Sequence, residues 1–495
     1  MGRGEDRISL LPHPILQSIL AMMPLKSAIR TDVLSKKWRN IWQYSLSQAT
    51  SLDFGDDFAC NLSANEFVAT VNRYLSLNRS EKIEKFHVFF CPFDSFSSDI
   101  AGWIDFAASR GVRRLDIDLS QGFRDPKYGE FADERSPFQL PSSLFDADSL
   151  VELSLSRCDF AAAGAPLNLT NFGGLECLSL SYSAVLDEEM LQSILTACSM
   201  LQRLTLRRCL RLGVISIVLP DLNLKKLTVG DCWATNLLVI NSPKLQSFEY
   251  FGRFCTENTF SEISSLVDAS IYSLGTSLEN DFAEILAALS HVQILTLCSG
   301  TLLDLNRRED DGDNEYPIQL LNLKELQLLV DSMTNECLTC IYSFFRLCSS
   351  PVLEKLYIQL PRIIEDPKER KYGVTVMLNP LDSATLDSLK VIKVINFKGT
   401  LNEIRLVSFL LQKAIVLERM VLVLPLVEER PCRGQERFFL RILRAQMSLL
   451  SKASPHAEII LHEFGEDDGL NPTHLEIHND NGCLPVIPCL AKMDW

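Results

Sequence analysis

The stretches Ile83-Glu84-Lys85-Phe86-His87-Val88 and Leu150-Val151-Glu152-Leu153-Ser154-Leu155 carry one pattern, apolar-x-x-apolar-x-apolar. The last apolar residues of each alternate with polar ones, which on a strand sends the two sets to opposite faces. The pattern returns at anchors Ile83, Val112, Leu150, Leu175, Leu201, Leu224, Leu245, Leu266, Val292, Leu323, Leu353, Leu389 and Leu417, thirteen copies in all. Successive anchors lie 29, 38, 25, 26, 23, 21, 21, 26, 31, 30, 36 and 28 residues apart. One such unit cannot bury its own apolar face. Neighbours therefore have to stack, with parallel strands along one surface and return segments along the other.

Most of these intervals sit at or slightly above the ~20–29 residues of a leucine-rich repeat, which the chain resembles over this span. The ninth position of the motif is Cys91, Cys158, Cys209 and Cys232 in four copies, the place where that repeat class puts Asn or Cys to bond inside the turn. Between strands, Met190, Leu191, Ile194 and Leu195 share one helical face in the stretch from Leu186 to Ala197. The longer intervals imply insertions, notably Gln121 to Ser136 and Arg307 to Glu315.

Residues 1–50 differ from the rest: seven basic and three acidic side chains give +4, leaving −19 for the other 445 residues. Ile15, Leu16, Ile19 and Leu20 mark one face of a helix that Pro24 stops. Further helices are expected from Lys26 to Leu34 and around Lys36 to Leu46, the latter with Trp38 and Trp42 four apart. Three short helices have too much surface to bury these groups among themselves, so part of the apolar surface is expected to be an interface.

The runs Asp6-Arg7-Ile8-Ser9-Leu10-Leu11-Pro12, Met23-Pro24-Leu25 and Arg30-Thr31-Asp32-Val33-Leu34-Ser35-Lys36-Lys37-Trp38-Arg39, with the pairs Ile15-Leu16 and Ile19-Leu20 and Trp42, resemble an F-box of the plant type. His13 and Pro14 stand where that family usually has an acidic pair. Further on, Ser388-Leu389-Lys390-Val391-Ile392-Lys393-Val394, Phe397-Lys398-Gly399 and Val416-Leu417-Glu418-Arg419-Met420-Val421, closing on Ala453-Ser454-Pro455-His456-Ala457, are similar to the FBD region of plant F-box proteins. The expected fold is α/β, a three-helix F-box followed by a leucine-rich-repeat solenoid with a parallel sheet on one face and helices and loops on the other. The expected domains are 1–50 F-box, 51–380 repeats, 381–465 FBD-like repeats continuing the solenoid, and a tail at 466–495.

Composition narrows the function. Over 495 residues, 47% hydrophobic and 22% charged is ordinary for a globular chain, and a net −15 repels a phosphate backbone, which argues against nucleic acid as a partner. Fifteen scattered cysteines do not form a disulfide framework. No uncharged run approaches the ~18 residues of a membrane span, and Asp6 occupies the position where a myristoylation signal needs Ser or Thr. A reduced compartment, cytoplasm or nucleus, with no membrane partner, is expected.

For chemistry there is little. Cys337-Leu338-Thr339-Cys340 has no second pair at zinc-ribbon distance, and Asp310-Asp311-Gly312-Asp313-Asn314-Glu315 lacks the order of a calcium loop. Asp116 and Asp118 alternate on a strand, as a carboxylate pair for acid or base work would, but the same alternation marks the exposed side of a sheet. No nucleophile elbow, phosphate loop or HExxH occurs. The expectation is no catalytic residue, no metal and no cofactor.

Binding is better supported. The register turns Arg203, Thr205, Arg207, Arg208, Lys226 and Thr228 to the open side of the sheet, a basic patch suited to an acidic peptide or phosphate. Phe251, Tyr272, Leu329, Tyr357, Ile395, Val421 and Val423 make the later copies aromatic and apolar there. The F-box resemblance implies the non-catalytic substrate-recognition subunit of a Skp–cullin–F-box ubiquitin ligase. In that role Leu11, Pro12, Ile15, Leu16, Ile19, Leu25, Val33 and Trp38 contact the Skp adaptor, and through it the cullin-RING ligase, while the repeats hold an unknown protein target. The alternatives are a non-degradative scaffold with an idle F-box and a small-ligand receptor.

Overall fold

The computed structural model describes residues 8, 11–21, 23, 27, 31, 34, 38, 41, 47–55, 58, 62–90, 94–119, 137–160, 169–219, 221–253, 255, 257–273, 282–307, 318–362, 386–426, 436–466 and 469–474. They form two units, Met1–Lys244 and Leu245–Trp495. In the first, parallel strands β1 (Ser51–Phe54), β2 (Lys85–Phe89), β3 (Arg114–Asp118), β4 (Glu152–Ser156), β5 (Cys177–Ser181), β6 (Arg203–Arg207) and β7 (Lys226–Gly230) pair in sequence order. The second repeats this with β8 (Ser247–Gly252), β9 (Asp268–Ser273), β10 (Ile294–Cys298), β11 (Glu325–Leu329), β12 (Lys355–Gln359), β13 (Val391–Ile395), β14 (Arg419–Val423) and β15 (Glu458–His462).

Every predicted anchor is at most 3% exposed, and the apolar positions three and five residues later are buried in all thirteen copies. Each strand starts two residues after its anchor, so equivalent side chains align: Leu153, Leu178, Leu204 and Leu227 stand in one row. One carbonyl per repeat fixes that register. The Val151 carbonyl accepts from the N–H groups of Glu176 (2.8 Å) and Cys177 (3.0 Å), Glu176 accepts from Gln202 and Arg203, and Gln202 accepts from Lys225 and Lys226. In the second unit Val267 accepts in the same way from Gln293 and Ile294. A slip by one residue would turn the apolar row to the opposite face.

Two of these fifteen strands, β1 and β15, lie outside the sequence pattern. Their anchor positions hold Ala49 and His456 instead of a large aliphatic, although Leu52 and Phe54 of β1 are buried like those of the other copies.

At the end of several strands the chain turns through a left-handed residue that is not glycine: Arg157 (φ 61°), Tyr182 (55°), Arg208 (50°), Asp231 (51°) and Asn396 (62°), all at the eighth motif position. That conformation costs ~1 kcal/mol per residue. The ninth position holds the turn. Cys158 donates to the Ser156 carbonyl (3.5 Å), Cys209 to those of Arg207 (3.6 Å) and Leu180 (3.8 Å), and Cys232 to those of Gly230 (3.5 Å) and Leu206 (3.8 Å). Cys91 lies outside the described residues, as do most of the two expected insertions and the acidic Asp310 to Glu315 run.

In the first unit α1 (His13–Ala21) lies in the N-terminal module, and return segments hold α2 (Ala64–Leu77), α3 (Ser97–Ala108) and α4 (Glu188–Ala197). In the second they hold α5 (Phe282–Ala288), α6 (Ser299–Arg307), α7 (Asn335–Leu347), α8 (Leu401–Lys413) and α9 (Glu436–Ser448). Side chains start several of them. Ser63 and Glu66 form a capping box at α2, as Thr400 and Glu403 do at α8, and Asp187 and Thr334 accept from Met190 and Cys337 at α4 and α7. An aromatic cluster in which Phe67 stacks on Phe90 at 5.0 Å, with Phe54, Phe58, Phe86, Tyr74 and Trp103 around it, fills the first repeats. No helix of the described residues is long and apolar enough to cross a membrane. Truncating the fully buried Leu206 to Ala is expected to cost ~2–5 kcal/mol, seen as a lower urea midpoint for the first unit; an unchanged midpoint would remove the apolar row from its central role.

Candidate interaction surfaces

In the N-terminal module, Leu16, Leu20, Trp38 and Ile41 form a core in which none is more than 4% exposed, with Leu11 and Met23 packed against it. The Pro12 carbonyl accepts from the N–H groups of Ile15 and Leu16, opening α1, and Pro14 sits in the first turn, where it removes no helical bond. The expected contact residues therefore separate. Pro12 and Ile15 are exposed and Ile19 half-buried, whereas Leu16 and Trp38 lie in the interior, because a helix of this amphipathicity must first cover itself. Leu25 and Val33 fall outside the described residues. Ile8 at 57% and Leu34 at 63% exposed extend the apolar surface; both stand within the motif runs, and only burial distinguishes them from their neighbours.

On the sheet face of the first unit, Asp53 of β1, His87 of β2 and Asp116 of β3 form a cross-strand cluster. His87 Nδ1 lies 2.8 Å from Asp53 Oδ1 and its Nε2 lies 3.7 Å from Asp116 Oδ2, while Lys85 reaches Asp53 at 3.0 Å. The His87 hydrogen bond holds the Asp53 carboxyl well below the usual carboxylate range. Burial works against protonating His87, but the Asp53 hydrogen bond and the charges of Asp116 and Asp53 outweigh it and raise its pKa. Burial also pushes Asp116 up. The arrangement is an ion network between neighbouring repeats, and Gly55 leaves room for it, since a Cβ there would meet the His87 ring at 2.9 Å.

The basic residues are brought together only in part. Strand pairing sets Arg203 beside Lys226 and Thr205 beside Thr228 on the same face, with Arg203 and Arg207 exposed and Lys226 half-buried. Arg208 leaves that face, because its left-handed backbone directs it along the turn. Its guanidinium lies 5.1 Å from the Tyr182 ring centre and its Nε 3.4 Å from Asp231 Oδ2. Arg203 is answered by Glu152 at 3.4 Å, so the patch is less positive than its sequence suggests.

The aromatic stripe of the second unit is covered, which corrects the expectation of an exposed surface. Tyr272 (6%), Leu329 (2%), Tyr357 (1%) and Val421 (0%) are buried, and Phe251 packs against the Tyr272, Cys298 and Leu329 cluster. Tyr272 donates to Asp331 Oδ1 at 2.8 Å. Part of the cover is the chain's own residues 469–474, which come back over the face after β15. Lys393 Nζ donates to the Leu470 carbonyl (2.7 Å), the Thr473 N–H donates to Glu325 Oε1 (2.7 Å), and His474 sits between Thr296 (2.7 Å) and Asp268 (3.0 Å). Nothing local in Asn471-Pro472-Thr473-His474 announces this. In α7, burial pushes the Cys337 thiol up to about 12 and Cys340 is 1% exposed, opposite to the thiolate that a metal or nucleophilic role requires.

Stacked strand–turn–helix units with thiols closing their turns, behind a small helical module with its own core, define a leucine-rich-repeat protein carrying an N-terminal adaptor-like domain. Residues 65–454 match the family described as At1g61320/AtMIF1, LRR domain, and residues 8–47 match the F-box domain. The chain belongs to this F-box and leucine-rich-repeat family. Among its relatives in Arabidopsis thaliana, the putative F-box protein At3g29830 is 25% identical over 485 residues, covering 92% of this chain and 98% of that one. The putative FBD-associated F-box protein At5g56440 is 26% identical over 439 residues (84% and 92%), and the F-box protein At5g03100 is 31% identical over 271 residues (54% and 77%).

The His87 cluster gives a pH signature. With its pKa raised above 6.5, His87 contributes stability that is fully present below that value and lost as pH rises through the folded pKa. With its pKa lowered from 3.8, Asp53 contributes stability that is present above that value and lost as pH falls through its folded pKa. Both act together near pH ~5. His87→Gln is therefore expected to lower Tm more at pH 5.5 than at pH 8.5; an equal loss at both would show that charge plays no part.

Proposed function

We propose that this chain is the substrate-recognition subunit of a Skp–cullin–F-box ubiquitin ligase, with the F-box docking on a Skp-type adaptor and the repeats capturing a protein target. The observation that carries the reading is the union, in one chain, of an F-box match over residues 8–47 with a repeat domain over residues 65–454. It is supported by the apolar groups left at the surface of the N-terminal module, Ile8, Ile15 and Leu34. The chain then supplies neither acid, base nor nucleophile. It raises the effective concentration of a target lysine near a ubiquitin-loaded conjugating enzyme, so that rate comes from proximity.

In this reading Pro12 and Ile15 touch the adaptor, with Ile19, Leu25 and Val33 as further contacts, while Leu16 and Trp38 hold the docking face in shape from beneath. Arg203, Arg207 and Lys226 are the candidate target contacts of the first unit. Phe251, Tyr272 and Tyr357 support the covered face of the second from below, and Arg208 acts through its turn.

Ile15→Asp is expected to weaken binding of the full chain to a Skp-type adaptor tenfold or more, ~1.4 kcal/mol, with Tm unchanged within ~2 °C. Trp38→Ala is expected to weaken it by unfolding the module, a truncation costing ~3–5 kcal/mol. Titration calorimetry beside thermal melts separates the two. No measurable adaptor binding by the wild-type chain, or full binding by Ile15→Asp, would overturn the assignment.

A further inference from the structure

The covered face of the second unit is built around polar groups that repeat strands ordinarily leave in water. Thr296 is 0% exposed, Gln327 0%, Glu325 6% and Lys393 8%, all at positions that point away from the apolar core row. Each therefore needs partners, since a buried donor or acceptor left unmade is costly. Residues 469–474 supply several of them.

What these residues supply is generic. Leu470 offers a backbone carbonyl to Lys393 and Thr473 offers a backbone N–H to Glu325, whose Oε1 also accepts from Gln327 Nε2 at 2.8 Å. The one side chain read in detail is an imidazole. Asp268 Oδ1, already accepting from Ser247 Oγ at 2.7 Å, faces His474 Nε2; an ionised carboxylate only accepts, so Nε2 carries a proton there. In the neutral ring Nδ1 then accepts the Thr296 hydroxyl. Burial alternates along the segment, with Pro472 and His474 down and Asn471 and Thr473 outward. Any target segment with a free backbone N–H and carbonyl and an imidazole two residues after a proline presents the same groups.

The segment has neither helix nor strand, and it is reached through Gly465 (φ 86°) and Gly469 (φ 67°), around which a Cβ would meet nothing within 4 Å. Its polar contacts include four with partners 77 to 206 residues away in sequence.

We propose that this face is the target-binding site of the second unit, specific for a polypeptide segment bearing a Pro-x-His element, and that residues 469–474 occupy it as an intramolecular competitor. The inference rests on the target-capture reading above and names its partner and its regulation. A tethered competitor acts at an effective concentration of ~mM, so the free face is hidden from weaker ligands and opens to those that match it better.

The test uses the full chain and a synthetic peptide of its own residues 466–478. Thr473→Pro with His474→Ala, which removes the donor to Glu325 and the imidazole, is expected to bind this peptide at least tenfold more tightly than the wild type does, and to ignore a peptide in which His474 alone is replaced by alanine. In the wild-type chain, saturating peptide is expected to speed amide exchange at Leu470 and Thr473 as they are displaced, a readout that does not depend on how the double variant folds. Equal peptide affinity for variant and wild type, or unchanged exchange, would make the segment a permanent part of the fold and overturn the proposal. Adaptor binding measured on the same samples reports on the ligase reading by itself: its failure with peptide binding intact overturns that reading and leaves the face as a peptide site.

Discussion

The parallel register set by one doubly used carbonyl per repeat is the constraint on which the rest of the molecule depends. Two N–H groups converge on it, so each strand can advance only by a whole motif. Apolar side chains then meet apolar ones in rows, Leu153 with Leu178, Leu204 and Leu227. The charges between them meet one another with equal regularity, which is how His87 comes to lie between two carboxylates and Arg203 beside Lys226. Ion pairs at such half-exposed positions are weak taken singly. Their importance lies in which charges they leave unanswered for a partner.

The same register explains why much of the fold was legible. A buried row needs a large apolar residue at a fixed place in every copy, and thirteen anchors satisfy that demand in plain sequence. At the two ends the demand lapses: Ala49 and His456 suffice because a terminal strand has a neighbour on one side only among the described residues, and β1 and β15 were missed for that reason. The left-handed turns were missed on different grounds. Arg157, Tyr182, Arg208, Asp231 and Asn396 share no chemistry. The thiols after several of them were visible, but not the backbone conformation those thiols stabilise.

The surfaces were half legible. Which residues lie on the side of a strand away from the core follows from alternation, and Arg203, Arg207 and Lys226 lie on that side. Whether that side stays open does not follow, because covering it takes a segment far away in sequence. Thr296 and His474 are 178 residues apart, and neither carries a mark of the other. In the F-box the ambiguity was one of depth. Leu16 and Ile15 are equally apolar neighbours, yet one is fully buried and the other 46% exposed, a difference set by a 100° step around the helix axis.

The distances in sequence carry a consequence for the order of assembly. Each strand pairs with a neighbour made just before it, so the sheets can form progressively as the chain is synthesised from its N-terminus. Residues 469–474 are translated after the last strand, β15, and reach partners as far as 206 residues back in sequence. The face they cover is thus complete, and bare, for an interval during every synthesis. A newly made molecule meets its surroundings with that face open before its own chain closes over it.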